Sequence, residues 1–166
     1  MKYLINITGP MASGKSTLTA LVWRHFENYA YVDRPRMKRG LKPAGKDIAR
    51  VISKKATYLM LVELMKDKNV PGIVVEEMGS DGIEKHLSYE MKKYGYQLLP
   101  FHLTCPLEMS YERETWRRNQ RGMPPRLDIV KEVNAQVPGP CANDIVVDTG
   151  RMKIEEAFGY IVGHVK

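Results

Sequence analysis

Nine residues near the start of the chain, Gly9-Pro10-Met11-Ala12-Ser13-Gly14-Lys15-Ser16-Thr17, decide its fold. They match the spacing G-x-x-x-x-G-K-[ST] of a phosphate-binding loop. The apolar residues 3–7 before the loop suit a buried strand, and residues 17–23 after it suit a helix. Strand, glycine-rich loop and helix are the context that this motif requires. The sequence therefore predicts a site for a nucleoside triphosphate; the alternatives are a chance glycine-rich turn and a degenerate loop that no longer binds.

Each residue type in this motif has a physical task. The glycines let the backbone turn, so that successive N–H groups point at phosphate oxygens, and the following helix adds its positive dipole end. Lys15 is expected to reach the β- and γ-phosphates of ATP or another nucleoside triphosphate, and the Ser16 hydroxyl is expected to bind Mg²⁺. The expected nucleotide contacts in the loop are Gly9, Met11, Ala12, Ser13, Gly14, Lys15, Ser16 and Thr17.

The composition places the chain among single-domain proteins with a basic surface. Its 166 residues predict one domain, 1–166, and its formal charge is +7. Cys105, Cys141 and the four histidines show no metal-ligand spacing, so we expect no zinc site. No apolar run is long enough to cross a membrane and no signal-peptide pattern begins the chain, so a cytoplasmic location without a membrane partner is expected.

Apolar segments alternate with helical patterns along the whole chain. Short β-prone segments at residues 3–7, 29–32, 73–75, 96–104 and 144–148 are separated by amphipathic stretches. This alternation predicts an α/β three-layer sandwich with about five parallel strands and helices on both faces. Residues 34–46 carry two prolines and two glycines and are predicted as a loop, as are residues 79–82.

Asp33 follows the second predicted strand and is the candidate general base. Transfer of a phosphoryl group to a hydroxyl needs a group that accepts the hydroxyl proton, and strand ends of a parallel sheet carry such groups. Arg36 is three residues further on and is suited to stabilise negative charge on phosphate. The alternatives are that Asp33 caps a turn or helix and that Arg36 is surface charge.

The stretch 34–55 holds nine lysines and arginines opposed by Asp47 alone. Lysine and arginine side chains that bind several phosphates of one strand release counterions, so this stretch favours a nucleic acid as partner. The alternative is that a nucleotide-binding protein needs several basic residues for the nucleotide itself. The charge pattern therefore leaves the partner class open at this point.

A second group of arginines lies between residues 113 and 126. Helical spacing places Arg113, Arg117 and Arg121 on one face if the helix continues that far, and Arg118 lies to the side. Beside a glycine-proline break, such a group is typical of a small lid that closes over triphosphate. The alternative is a solvated helix whose arginines pair with nearby glutamates.

Together these motifs resemble the P-loop kinases grouped around phage polynucleotide 5′-kinase and the zeta-toxin-type kinases. Four blocks match in order: the phosphate loop, Asp33-x-x-Arg36, the segment 72–75 leading to an acid, and Arg118-Asn119-Gln120-Arg121-Gly122 followed by residues 128–130. The resemblance covers the chain to about residue 136. Residues 143–157 are similar to the last strand and helix of many small-molecule and nucleotide kinases.

The resemblance implies roles for individual residues. It makes Asp33 the general base, Arg36 a contact to the acceptor or the transition state, and Arg118 and Arg121 lid contacts to ATP. Arg117 is expected to contact the nucleotide beside them, and Arg39 is expected to bind the acceptor. Glu76 and Glu77 should point to opposite sides of their strand. The family pattern favours Glu77 for Mg²⁺, although Glu77-Met78-Gly79 departs from that pattern.

The sequence therefore favours an ATP-dependent kinase whose acceptor is a hydroxyl on a nucleic acid, DNA rather than RNA. That hydroxyl is either a 5′-end or a hydroxymethyl group on a modified base, as in similar phage kinases that modify DNA. One alternative is a kinase of a small molecule such as a nucleoside, nucleotide or sugar, which the C-terminal pattern favours. The other is a nucleotide-dependent binding module without transfer, against which the Asp33 and Arg36 pair argues.

Overall fold

The computed structural model of the protein describes residues 1–41, 43, 45–77 and 82–166. Lys42 of the basic stretch and residues 79–81 of the second predicted loop lie outside these ranges. The strands are β1 (Lys2–Thr8), β2 (Ala30–Asp33), β3 (Gly72–Glu76), β4 (Tyr96–Thr104) and β5 (Ile145–Asp148). The helices are α1 (Lys15–His25), α2 (Arg34–Gly40), α3 (Lys46–Lys66), α4 (Ile83–Tyr94), α5 (Leu107–Asn119), α6 (Leu127–Gln136) and α7 (Ile154–Val162). In the described ranges, every helix is too short or too polar to cross a membrane.

The five strands form one parallel sheet in the order β2-β3-β1-β4-β5. This arrangement confirms the predicted α/β fold with parallel strands. β1 lies in the centre, so the phosphate loop that follows it begins in the middle of the carboxyl edge of the sheet. Because β3 and β4 flank β1 on opposite sides, this is a point where an open parallel sheet forms a crevice for ligands.

Helices cover both faces of the sheet, as the sequence predicts. Leu18 and Val22 of α1 and Ile161 of α7 pack on one face, which we call the α1 face. Leu61 of α3 and Leu87 of α4 pack on the opposite face, which we call the α3 face. The strand residues alternate between these two apolar layers, and burying apolar surface in both layers is the main force that holds the sandwich together.

The segment after β2 is a helix, so the predicted loop over residues 34–46 is wrong in its first half. Pro35 occupies the first turn of α2, where its missing N–H costs no hydrogen bond. Asp33 caps the helix by accepting a hydrogen bond from the Arg36 N–H at 2.7 Å. The two prolines and two glycines therefore mark the beginning and the end of a short helix rather than a continuous loop.

The arginine-rich segment begins in α5, turns at Gly122, and continues into α6. Helix α5 ends at Asn119, so Arg121 is not on the helical face of Arg113 and Arg117. The turn closes with Met123 N–H donating to the Arg118 carbonyl at 3.0 Å. Two helices joined by this turn therefore stand where the sequence predicts a lid.

Candidate active site

The phosphate loop is held against β4 by a close backbone approach. Gly9 has φ +132°, and a Cβ there would lie 2.4 Å from the Leu103 carbonyl oxygen. Only glycine has both the conformation and the space for this position. The loop then leads into α1, which begins at Lys15 and whose first N–H groups have no partner within the helix and are available to a bound phosphate. The loop thus has the geometry that the motif predicts.

Lys15 is buried and turned back onto its own loop. Its Nζ donates a hydrogen bond to the Pro10 carbonyl. Burial lowers the pKa of Lys15 from its usual value of 10.5 to about 8, although the Glu76 carboxylate nearby raises it. A phosphate in the loop would stabilise the positive charge of Lys15, which burial destabilises. Binding of an anion and protonation of Lys15 should therefore favour each other.

The carboxylate beside Ser16 belongs to Glu76. The Ser16 hydroxyl donates to Glu76 Oε1 at 2.8 Å, and the Tyr31 hydroxyl donates to Glu76 Oε2 at 3.3 Å. Burial raises the pKa of Glu76 and Asp33 adds to the rise, while the Ser16 hydrogen bond and the Lys15 charge lower it. The result is a desolvated carboxylate that is held by two hydroxyl groups at the mouth of the phosphate loop.

Glu77 does not face the phosphate loop, which corrects the assignment of this residue to the metal. Its side chain is fully buried, and its Oε1 lies 3.3 Å from Arg34 Nη1. The physical reason is strand alternation: Glu76 follows Val74 onto the α1 face, whereas Glu77 follows Val75 onto the α3 face. Since α1 begins at the loop, only Glu76 reaches Ser16.

Asp33 lies at the end of β2, directly opposite Glu76 in the register of the two strands. The Tyr31 hydroxyl interacts with both carboxylates, and burial and then these two charges raise the pKa of Tyr31. Asp33 also caps α2. It therefore lies at the strand end, as predicted, and it is a helix cap as well, which was the alternative for this residue. The contact with Arg36 is made by its backbone N–H, while Arg36 and Arg39 have exposed side chains.

A cleft of about 400 Å³ opens beside the phosphate loop. Its lining combines residues 12–18 of the loop and α1 with the cations Arg113 and Arg117 of α5. It also includes the apolar side chains of Trp116, Met152, Ile154 and Ala157. Phosphate-binding and apolar groups that share one cleft suit a ligand that carries both phosphates and a flat base.

The arginines divide into two that line the cleft and two that do not. Arg113 donates to the Thr149 carbonyl oxygen at 2.6 Å, and Arg117 pairs with the buried Glu114. Arg118 Nε instead donates to the Pro124 carbonyl at 2.9 Å, and Arg121 is exposed in the turn. The described residues that line the cleft thus include Arg117 but neither Arg118 nor Arg121. The predicted contacts of these two arginines to ATP remain a prediction that requires the turn to move.

Three residues contact this site although no sequence motif indicated such a role for them. Tyr31 joins the two carboxylates, Thr149 donates to the Ser13 carbonyl at 2.8 Å, and Asn134 binds the backbone of Met11. Thr149 and Asn134 are more than 120 positions from the loop that they contact. A signal for Tyr31 did exist, since it precedes Asp33 by two positions and therefore points to the same face.

No protein-family model matches this sequence, and no curated protein matches it. Solved structures share the fold: a presumed kinase from Chloroflexus aurantiacus is 15% identical with a TM-score of 0.69, over 99% of this chain and 96% of that one. A gluconokinase from Sinorhizobium meliloti 1021 is 13% identical with a TM-score of 0.65, over 96% of this chain and 89% of that one. The tunicamycin resistance protein of Deinococcus radiodurans is 17% identical with a TM-score of 0.64, over 99% and 96%. At these identities the likeness establishes the fold.

Proposed function

We propose that this protein is a kinase that transfers the γ-phosphate of ATP to a hydroxyl group. One observation carries the proposal. Lys15 and Ser16 of the phosphate loop meet two carboxylates, Glu76 beside Ser16 and Asp33 opposite Glu76, at the ends of adjacent strands. The loop suits the donor. Asp33 ends the edge strand β2, which β3 separates from β1, and this position leaves room for an acceptor between Asp33 and the loop. Two of the three solved structures described above are named as kinases.

The proposed reaction is an in-line displacement at the γ-phosphorus. The acceptor oxygen forms a bond to phosphorus while the bond to the β,γ-bridging oxygen breaks, and ADP leaves with that electron pair. Asp33 accepts the proton of the acceptor hydroxyl. Because Asp33 Oδ1 accepts the hydrogen bond that caps α2, the carboxylate is held in one orientation. Lys15 stays with the β- and γ-oxygens and neutralises their charge.

The residues at the loop fit a magnesium ion. Ser16 Oγ and Glu76 Oε1 are oxygen donors 2.8 Å apart, and Mg²⁺ prefers oxygen ligands and retains several waters. We propose that Ser16 holds the ion and that Glu76 holds it directly or through water. When bound, the ion would neutralise charge on the β- and γ-phosphates. Arg113 and Arg117 add positive charge on the other side of the cleft, and Arg118 and Arg121 would add more if the turn closed.

We propose a nucleic acid, DNA rather than RNA, as the acceptor, through a 5′-hydroxyl or a hydroxymethyl group on a base. Arg36 and Arg39 on α2 and Lys46 and Arg50 on α3 are exposed and follow Asp33 in the chain. Exposed cations beside the general base can bind the phosphates that flank an acceptor hydroxyl. A base that carries the hydroxyl would have to leave its stack to reach Asp33.

A small-molecule acceptor is the second candidate, and the likeness to a gluconokinase favours it. The ion pair between Arg34 and Glu77 also bears on this choice. It is buried on the α3 face, so Arg34 is not part of the exposed basic surface. With one arginine fewer on that surface, an acceptor such as a nucleoside, nucleotide or sugar is a serious alternative.

The deciding experiment measures transfer of labelled γ-phosphate from ATP to a panel of acceptors. The panel contains 5′-hydroxyl DNA and RNA, DNA bearing 5-hydroxymethylpyrimidines, and nucleosides, nucleotides and sugars. We expect labelled DNA; a labelled small molecule alone would establish the second candidate. Release of phosphate with every acceptor left unlabelled would contradict both and favour a nucleotide-dependent binding module.

The same assay tests the general base. Asp33→Asn keeps an oxygen that can cap α2 but cannot accept the proton, so we expect transfer to fall by a factor of about 10² to 10⁴. ATP affinity should stay near that of the wild type, because the loop itself is unchanged. Transfer at the wild-type rate by this variant would show that Asp33 is only a helix cap.

A further inference from the structure

Asn134 of α6 attaches this helix to the phosphate loop by two hydrogen bonds to one residue. The Met11 N–H donates to Asn134 Oδ1 at 2.6 Å, and Asn134 Nδ2 donates to the Met11 carbonyl at 3.3 Å. A carboxamide offers an acceptor and a donor side by side, so one asparagine satisfies both polar groups of a single residue. The two residues are 123 positions apart in the sequence.

The first half of the phosphate loop needs such support. Ala12, the residue after Met11, has φ +62°, a conformation that residues with a side chain rarely adopt. The hydrogen bond that closes the loop here, from Ser13 N–H to the Pro10 carbonyl, is long at 3.4 Å. Asn134 therefore fixes the residue that lies between this weak closure and the strained alanine.

Asn134 is also one of the groups that anchor helix α6. Most of the helix is exposed, and Val130 is its buried residue. Asn134 follows Val130 by four positions and therefore lies on the same face. At the other end, Arg126 Nε lies 3.3 Å from Glu114 Oε1. The described contacts thus hold α6 at both ends, to α5 through Glu114 and to the phosphate loop through Asn134.

The contact at Glu114 extends this connection to the nucleotide cleft. Glu114 is fully buried and binds two arginines, Arg126 before α6 and Arg117 at the cleft. One continuous set of contacts therefore runs from the cleft to the phosphate loop: Arg117, Glu114, Arg126, α6 and Asn134. A change in the position of α6 would affect the loop and the arginine together.

We propose that Asn134 is a positioning residue of the nucleotide site. It holds Met11 and Ala12 in the shape that receives the triphosphate and fixes α6 at the correct distance from the loop. The inference rests on the proposed function, since it concerns the binding of ATP. Asn134 acts through the backbone of Met11 and not by contact with the reacting atoms.

Two variants separate the parts of the contact. Asn134→Ala removes both hydrogen bonds, whereas Asn134→Asp keeps the acceptor for the Met11 N–H, loses the donor and adds negative charge beside the loop. Gln136→Ala is the matched control, because it truncates an exposed amide two positions away on the same helix. Each protein is compared with the wild type in three measurements: magnesium-ATP affinity by calorimetry, amide hydrogen exchange at Met11 by NMR, and urea unfolding.

We expect the wild type to bind ATP and Asn134→Ala to bind it about tenfold more weakly while it remains folded. Amide exchange at Met11 should be at least tenfold faster in Asn134→Ala, with little change at amides in β1. Asn134→Asp should keep the slow exchange at Met11 yet also bind ATP at least fivefold more weakly. Gln136→Ala should match the wild type in every measurement.

Wild-type ATP affinity in a folded Asn134→Ala variant would overturn the inference and leave the proposed kinase intact. If Asn134→Ala fails to fold, Asn134→Asp decides, and wild-type affinity in that variant overturns the inference. Equal weakening by Gln136→Ala would overturn it as well, because the effect would then belong to the helix and not to the contact. A wild-type protein that binds no ATP would contradict the proposed function itself.

Discussion

The donor side and the acceptor side of the candidate site are built in different ways. On the donor side, the phosphate loop is fixed by buried polar contacts from distant parts of the chain: Thr149 donates to the Ser13 carbonyl, and Asn134 binds Met11. On the acceptor side, α2 and α3 present exposed cations such as Arg39 and Lys46 to the solvent. On the acceptor side, α2 itself is anchored by the Asp33 cap and by the buried ion pair between Arg34 and Glu77, while Arg39 stays exposed.

This difference matches what each side has to bind. N–H groups of a fixed loop that are already oriented for a triphosphate would cost little reorganisation when it binds. An acceptor held by solvated charges is bound mainly by long-range attraction, which salt weakens. Changes to the buried contacts should therefore alter stability or turnover, and changes to the exposed cations of the acceptor side should alter salt-dependent binding.

The largest expected effect concerns the buried ion pair between Arg34 and Glu77. Glu77→Gln leaves the buried guanidinium without its facing negative charge, so we expect a loss of ~3 kcal/mol in the free energy of unfolding. Urea unfolding measures it. The control is Glu63→Gln, which removes an exposed partner of Lys66 and should leave the free energy of unfolding nearly unchanged. Equal stability of the two variants would mean that the pair on the α3 face does not hold α2 in place.

The second effect concerns Glu76, the neighbour of Glu77 in the chain. Glu76→Gln removes the carboxylate that binds Ser16 and Tyr31, and we expect kcat for phosphate transfer to fall about 10- to 100-fold. Its unfolding free energy should not fall as that of Glu77→Gln does, because burial already opposes the charged form and raises the pKa of Glu76. Steady-state kinetics and urea unfolding of both variants make the comparison. A kcat loss in Glu77→Gln alone would restore the sequence-based assignment of the metal to Glu77.

These two glutamates show where sequence reasoning stops. The loop motif identified the strand, the loop and Lys15, because those depend on neighbours in the sequence. Which glutamate faces the loop depends on the side to which each strand residue points. The strand residues Ile73, Val74 and Val75 are all apolar because β3 is buried on both faces, so no polar and apolar alternation marks the direction.

The same reasoning explains the other outcomes. The order of strands and helices was predictable because five apolar segments alternate with amphipathic ones. The position of Asp33 at a strand end was predictable too, but helix α2 was not, since prolines and glycines suggested a loop. Asn134 and Thr149 were beyond reach, because their roles arise only when segments more than 120 positions apart meet in the folded chain.

The third effect tests the acceptor side. The double variant Arg39→Ala, Lys46→Ala removes two exposed cations, so we expect single-stranded DNA to bind at least tenfold more weakly at low salt. The slope of log K against log [salt] should become shallower by ~1.4, at ~0.7 for each phosphate that is no longer neutralised. Fluorescence anisotropy across a salt series measures both.

The control is Arg24→Ala. Arg24 is an exposed cation in the last turn of α1, at the opposite edge of the sheet, so its removal should leave the slope unchanged. An unchanged slope in the double variant would favour the small-molecule acceptor.

The smallest effect concerns His102, a buried side chain next to the origin of the phosphate loop. Its Nδ1 lies 3.2 Å from the hydroxyl of Thr8, the residue before Gly9, and 3.8 Å from Asp144 Oδ2. Burial lowers the pKa of His102 below its usual value of 6.5, although Asp144 raises it. The folded state therefore binds fewer protons than the unfolded state, and stability falls as the pH drops below about 6.5. At one pH unit below that value we expect a loss of no more than ~1.4 kcal/mol.

His102→Gln should remove this part of the pH slope in urea unfolding between pH 7.5 and 5.5, whereas His25→Gln, at an exposed position on α1, should keep it. If both variants kept the wild-type slope, the acid sensitivity would have to come from the exposed groups and not from the buried donor side.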